Sequence, residues 1–156
     1  MKAARITCIV CGSTNLKALI WIHVRGVPPG EPAHNTVYDY SGMLVCQACG
    51  YSQLEKFSHD CWSHDEDWDM YWWYVLNPND TKSLDQLLAV CPNTLDAGCM
   101  CPMHVSLRHS AERLYAGVQH VCYPEESTGF GRLVLEVQAG IPSLSVDDLR
   151  PVGEMA

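Results

Sequence analysis

The chain has 156 residues, 47% of them hydrophobic and 18% charged, the balance of a protein that folds around a core and the inverse of a disordered chain. Its formal charge of −8, with only ten Lys and Arg scattered along it, argues against a surface built to hold phosphate backbones. The longest apolar run, residues 70–76, falls far short of the roughly 20 residues that a membrane-spanning helix needs.

Residues 16–24 alternate Leu16, Ala18, Ile20, Ile22 and Val24 with intervening side chains, the period-two pattern of a strand. A Pro/Gly stretch at 26–32 breaks it, and two further extended runs follow at 36–45 and 51–57. Together these predict a small antiparallel sheet. Residues 58–69 are polar and dense in His and Asp, which predicts a module boundary near Ser58 before the aromatic run at 70–76. Residues 77–80 read as a turn, and Ser83 with Gln86 forms a capping box for a short helix to about Val90.

Pro102 fits the first turn of a second helix, whose apolar positions Leu107, Ala111, Leu114, Tyr115 and Val118 keep helical spacing. Strands are expected at 118–123 and 130–137, joined by a polar loop at 124–129 and ended by Gly140 and Pro142; the last dozen residues read as a loose tail. The expected class is α+β: an N-terminal antiparallel zinc ribbon over 1–58, then a small sheet with one or two helices over 59–156.

Nine cysteines in a chain whose first residues lack the apolar core of a secretory signal point to a reducing, cytoplasmic setting, where paired thiols bind metal more often than they form disulfides. Cys8-Ile-Val-Cys11-Gly12 and Cys46-Gln-Ala-Cys49-Gly50 share the form Cys-x-x-Cys-Gly. The two-residue gap lets both sulfurs of a pair approach one ion, and the glycine supplies the freedom that a tight turn needs. The pair of turns resembles the knuckles of the zinc-ribbon family, over residues 1–58. That resemblance implies one closed, structural site on Cys8, Cys11, Cys46 and Cys49, although a rubredoxin-like arrangement holds iron on the same donors.

Cys91, Cys99, Cys101 and His104 place three thiols and an imidazole within fourteen residues, and Pro92 and Gly98 allow the chain to loop back. This is the donor set of a second structural zinc site, against the alternative of a core thiol with two free loop thiols. His59, Cys61 and His64, surrounded by acids, offer a third set that reads more simply as a solvated loop; with an open position it would be a catalytic centre.

Four functions fit. A protein-binding adaptor would use the aromatic residues Trp62, Trp68, Tyr71, Trp72, Trp73 and Tyr74, which suit a hot spot or a core strand. A nucleic-acid role fits a ribbon but not the charge. An enzyme would use the His59, Cys61, His64 region, or Cys61 or Cys122 with a nearby histidine, and neither forms a recognised motif. An acidic inhibitor of a basic partner, in the manner of immunity proteins, is permitted by the charge. The expectation is a metal-binding protein, more an adaptor than an enzyme, with zinc and a protein partner.

Overall fold

The computed structural model describes residues 7–25, 38–63, 66–114, 118–121 and 129–151. The alternating runs form strands β1 (Leu16–Arg25), β2 (Tyr38–Cys46), β3 (Ser52–Ser63) and β4 (Glu66–Leu76). Helices α1 (Pro78–Leu88) and α2 (Pro102–Arg113) follow, then β5 (Val118–Val121), β6 (Gly129–Gln138) and β7 (Ile141–Pro151). They build one seven-stranded sheet in the order β1-β2-β3-β4-β6-β7, with β5 on β4. All pairings are antiparallel except β4 with β6.

One face of the sheet carries Ile20, Ile22, Met43, Leu54, Tyr74, Leu76, Leu133 and Leu144, and packs on Leu84 and Leu88 of α1 and Met103, Leu107 and Ala111 of α2. Burying each aliphatic side chain contributes about 1.5–3 kcal/mol, so this face supplies most of the stability. The opposite face holds a row of rings, Tyr40, Phe57, Tyr71 and Trp73, with neighbouring centroids 4.6, 5.0 and 5.7 Å apart. Trp73, Val75 and Phe130 there pack against Ile9, from the first cysteine turn.

Helix α2 joins the two edges of the curled sheet. Toward β1, His104 Nε2 donates to the Trp21 carbonyl (3.1 Å) and Arg108 Nε to the His23 carbonyl (2.6 Å). Toward β7, Ser106 Oγ donates to the Pro142 carbonyl (2.6 Å), and Ser110 Oγ accepts from the Leu144 amide (3.0 Å). Both pairs repeat at four residues, so they form two adjacent stripes on one helix. The end of α2 is tied down where the Leu114 carbonyl accepts from Tyr74 Oη (2.7 Å) and Lys56 Nζ (3.1 Å).

The architecture corrects the expected fold class. An N-terminal zinc ribbon followed by a small separate sheet is not what forms, because β3 passes straight through Ser58 and pairs with β4 along its length. The physical reason is two-sided burial: every residue of 52–58 is buried, and a compact ribbon has no second layer with which to cover both faces. Within the polar stretch 58–69, residues up to Ser63 end β3 and those from Glu66 begin β4. Two smaller expectations also change. Helix α1 begins at Pro78 with Asn77 as its cap, since Asn77 Oδ1 accepts from the Asp80 amide (2.8 Å), while Ser83 donates to the Asn79 carbonyl. Residues 141–151 form β7, which runs into the last dozen residues expected as a tail; of those twelve, 152–156 lie outside the described residues.

Candidate metal centres

The first centre is built at the sheet's end by two turns of the same construction. In the first, the Cys8 amide donates to the Ser13 carbonyl (2.7 Å) and the Gly12 amide to the Cys8 carbonyl (2.9 Å). In the second, the turn between β2 and β3, the Cys46 amide donates to Tyr51 (2.8 Å) and the Gly50 amide to Cys46 (2.9 Å). Each turn closes through a glycine in the left-handed region, Gly12 at φ 78° and Gly50 at φ 81°. The Gln47 amide donates to the Asn15 carbonyl (2.9 Å), locking the two turns together.

All four sulfurs converge. Cys8 and Cys49 Sγ are 3.6 Å apart, as are Cys11 and Cys46 Sγ, and the four donor atoms lie within 4.8 Å of one another. Four thiolates at the tetrahedral positions of a zinc ion stand about 3.8 Å apart, whereas a disulfide is about 2.05 Å, so the set fits an ion and not a bridge. Cys8 and Cys46 are buried and Cys11 is exposed, which places the site at the surface with its inner half in the core. Gln53 of β3 clamps the first turn: its Oε1 accepts from the Ile9 amide (2.8 Å) and its Nε2 donates to the Thr7 carbonyl (3.3 Å).

The second centre lies between the helices. Cys91 follows α1, its amide donating to the Leu88 carbonyl (3.0 Å), and Cys101 is the cap of α2, its sulfur accepting from the His104 amide (3.5 Å). The intervening loop is shaped by Asn93 and Asp96, whose side chains accept from the Leu95 and Gly98 amides. It brings Cys91 and Cys99 Sγ to 3.9 Å, and His104 Nδ1 to 3.3 Å from both Cys91 and Cys101 Sγ. A tetrahedral sulfur and nitrogen pair would stand about 3.5 Å apart on zinc, close to what is found. His104 is completely buried, and because the Trp21 carbonyl can only accept, Nε2 carries the proton and Nδ1 turns its lone pair to the thiols.

The thiols divide in acidity within each set. Burial pushes Cys46 up, but the amides of Cys49 and Ala48 and the thiols of Cys11 and Cys49 outweigh it and bring Cys46 to about 7. Burial raises Cys8, and raises Cys49 to about 12 with help from the neighbouring sulfurs. In the second set burial opposes, but hydrogen bonds from the His104 amide and from the Cys91 and Cys99 thiols outweigh it, and Cys101 falls to about 6. Cys91 is pushed up to about 12 by burial and then by Cys101 beside it. Each set thus favours one thiolate whose charge the other thiols share by donating protons to it, the arrangement that an ion replaces.

All eight expected ligands therefore gather into the two expected groups, each able to hold a metal ion. The third set lies outside the described residues, since the side chain of Cys61 and all of His64 do, as does Cys122. Of the aromatic run, Trp73 and Tyr74 are fully buried, while Tyr71 and Trp72 are half-buried against the two clusters. What the sequence did not disclose is the outer support: Gln53, Arg108 and the Trp21 carbonyl carry no spacing signal. No helix among the described residues is long and apolar enough to cross a membrane. No family model matches the chain, and neither a curated protein nor a solved structure matches it either.

Proposed function

We propose that the chain is a zinc-stabilised, protein-binding adaptor in which both ions are structural. The observation that carries this is the pair of four-donor sets, each with the separations of a closed tetrahedral site and neither offering a position for substrate or water. Zinc is favoured over iron because the second set mixes three thiols with an imidazole, a combination typical of structural zinc. When bound, such an ion supplies folding free energy and charge neutralisation for the thiolates, not chemistry.

Binding as the activity draws on the surface. Val90, Leu95 and Met100 are 72%, 55% and 71% exposed, and all three lie on the segment around the second centre. The net charge of −8 suits a basic partner and would speed its approach. Elemental analysis of untagged protein tests the metal reading: two zincs per chain are expected, with Cys8→Ala and Cys101→Ala each losing one. For the activity, affinity capture should retain one stoichiometric protein that Val90→Asp with Met100→Asp releases. A salt-dependent mobility shift with DNA or RNA would replace the adaptor with a nucleic-acid role.

A further inference from the structure

The concave face of the sheet changes character toward the end of α2. The register places Ile20, Met43, Leu54 and Tyr74 in one cross-strand row, packed in the apolar core with both helices. Two residues further along each strand the next row reads Ile22, Ser41, Lys56 and Trp72, and the row beyond it Asp39, Ser58 and Met70. Residues two apart share a face, so the core face turns from apolar to polar within two steps. Asp39, Ser41, Lys56 and Ser58 are nevertheless all buried.

Polar groups are costly to bury without a partner, and elsewhere in the chain a structural tie accounts for them. Ser52 bonds Thr81, Gln53 holds the first cysteine turn, Glu55 accepts from Trp73 Nε1, and Ser110 from the Leu144 amide. The patch by the end of α2 differs in that it faces a cavity. Asp39, Lys56 and Ser58 line a space of about 430 Å³ together with Val24, Met70 and Trp72, and Glu112 lines it from the helix. That volume is in the range of small-molecule sites. Ser41, directly opposite Lys56 in the register, has no hydrogen-bond partner for its Oγ among the described residues.

The two buried charges stand on opposite sides of this space. Lys56 is drawn toward α2 and β4, its Nζ donating to the Leu114 carbonyl (3.1 Å) and lying 5.4 Å from the centroid of the Trp72 ring. Asp39 belongs to β2, on the other flank of β3, with Ser58 as its register partner.

We propose that this cavity binds a free α-amino acid with an apolar side chain, its ammonium on Asp39 and its carboxylate on Lys56. A wall of each sign selects a ligand that carries both charges. An acid without an amine would meet the like charges of Asp39 and Glu112, and an amine without an acid would meet the Lys56 ammonium. The Ser58 hydroxyl can donate to the ligand carboxylate, and Val24, Met70 and Trp72 give the side chain an apolar surface. The site shares no residue with either cysteine set, so its test stands apart from the metal reading.

Calorimetric titration of the full chain with L-leucine, L-methionine and L-phenylalanine tests it, each beside the acid that lacks its amine and the amine that lacks its carboxylate. The expected result is one site per chain with a Kd below about 1 mM for at least one amino acid, and at least about tenfold weaker binding of either half. Asp39→Asn and Lys56→Met should each weaken binding at least about tenfold. Because both residues are buried, Met70→Trp serves as a variant that keeps every charge and fills the cavity from a half-buried position. It should abolish binding while ion content and thermal midpoint stay as in wild type. Saturation by none of the three amino acids overturns the proposal, as does a half that binds as tightly as the whole. Binding that survives Met70→Trp would put the ligand elsewhere and overturn it too.

Discussion

His104 stands between the second cysteine set and the first strand, its Nε2 3.1 Å from the Trp21 carbonyl and its Nδ1 3.3 Å from two sulfurs. One side chain is thereby placed to serve as both ligand and strut: the strand's carbonyl fixes the tautomer, and that tautomer would present its lone pair to a bound ion. His104→Ala should lose the second ion and leave the Trp21 carbonyl buried and unpaired, at a cost of about 1–3 kcal/mol beyond the lost metal energy. Metal analysis with thermal unfolding checks it, and a variant that retained both ions would remove His104 from the ligand set.

Gln53 plays the corresponding part at the first centre. Its carboxamide holds the Cys8 turn against β3 through the Ile9 amide and the Thr7 carbonyl, yet it is not a ligand. Outer partners of this kind typically change metal affinity about 10–100-fold when removed. Gln53→Leu keeps the volume and deletes both bonds, so it should weaken the first site by that factor and leave the second unchanged. Competition with a chromophoric chelator measures both; equal affinity at the first site would show that the turn needs no clamp.

How much of this was legible depends on how local each feature is. The grouping of the candidate donors was, because two- and three-residue spacings and the glycines after Cys11 and Cys49 act within a single turn. The second set was also readable, since Pro102 starts α2 and places Cys101 at its cap. The fold was not, because Gln53 and Glu55 on one face of β3 and Lys56 on the other look like solvent-facing positions of a ribbon strand until both faces are covered by elements distant in sequence. Helix α1 was placed too late because Ser83 and Gln86 imitate a capping box, whereas Asn77 followed by Pro78 is the true start. The seam stayed hidden because Ser106 and Ser110 pair with backbone groups of β7, and no side-chain pattern marks a backbone partner.

That seam gives a test of how the sheet is closed. Ser110 is fully buried and its Oγ accepts from the Leu144 amide on the outer edge of β7. Ser110→Ala removes the acceptor and leaves a buried amide without a partner, a cost of about 1–3 kcal/mol. Urea unfolding should show this as a lower midpoint with an unchanged slope and with both ions still bound. A cost near zero would mean that α2 is held to β7 by apolar packing alone.

The two cysteine turns differ in one respect that predicts unequal tolerance. Both glycines sit in the left-handed region, where any other residue is strained by about 1–2 kcal/mol. A Cβ on Gly12 would meet nothing within 4 Å, whereas one on Gly50 would lie 3.3 Å from Pro78 Cβ, at the start of α1. Gly12→Ala should therefore cost the strain alone, and Gly50→Ala the strain together with a displaced helix start. Denaturant titration of the two variants, compared with wild type, reads the difference; equal losses would mean that Pro78 yields freely.

Acid should release both ions, and the thiols give the sign. In the metal-free protein, Cys46 and Cys101, lowered to about 7 and about 6 from 9.0, add stability that is complete above 9.0 and lost as pH falls through those lower values. Cys49 and Cys91, raised to about 12, add stability below 9.0 that is lost as pH rises toward 12. Near neutral pH, Cys49 and Cys91 thus hold protons that an incoming ion must displace, so the apparent affinity rises about tenfold per pH unit for each proton displaced. Zinc competition between about pH 6 and about pH 8 should find the tightest binding at the alkaline end in both centres. An affinity independent of pH would mean that the ion does not sit on these thiols, because thiolate ligation cannot proceed without releasing their protons.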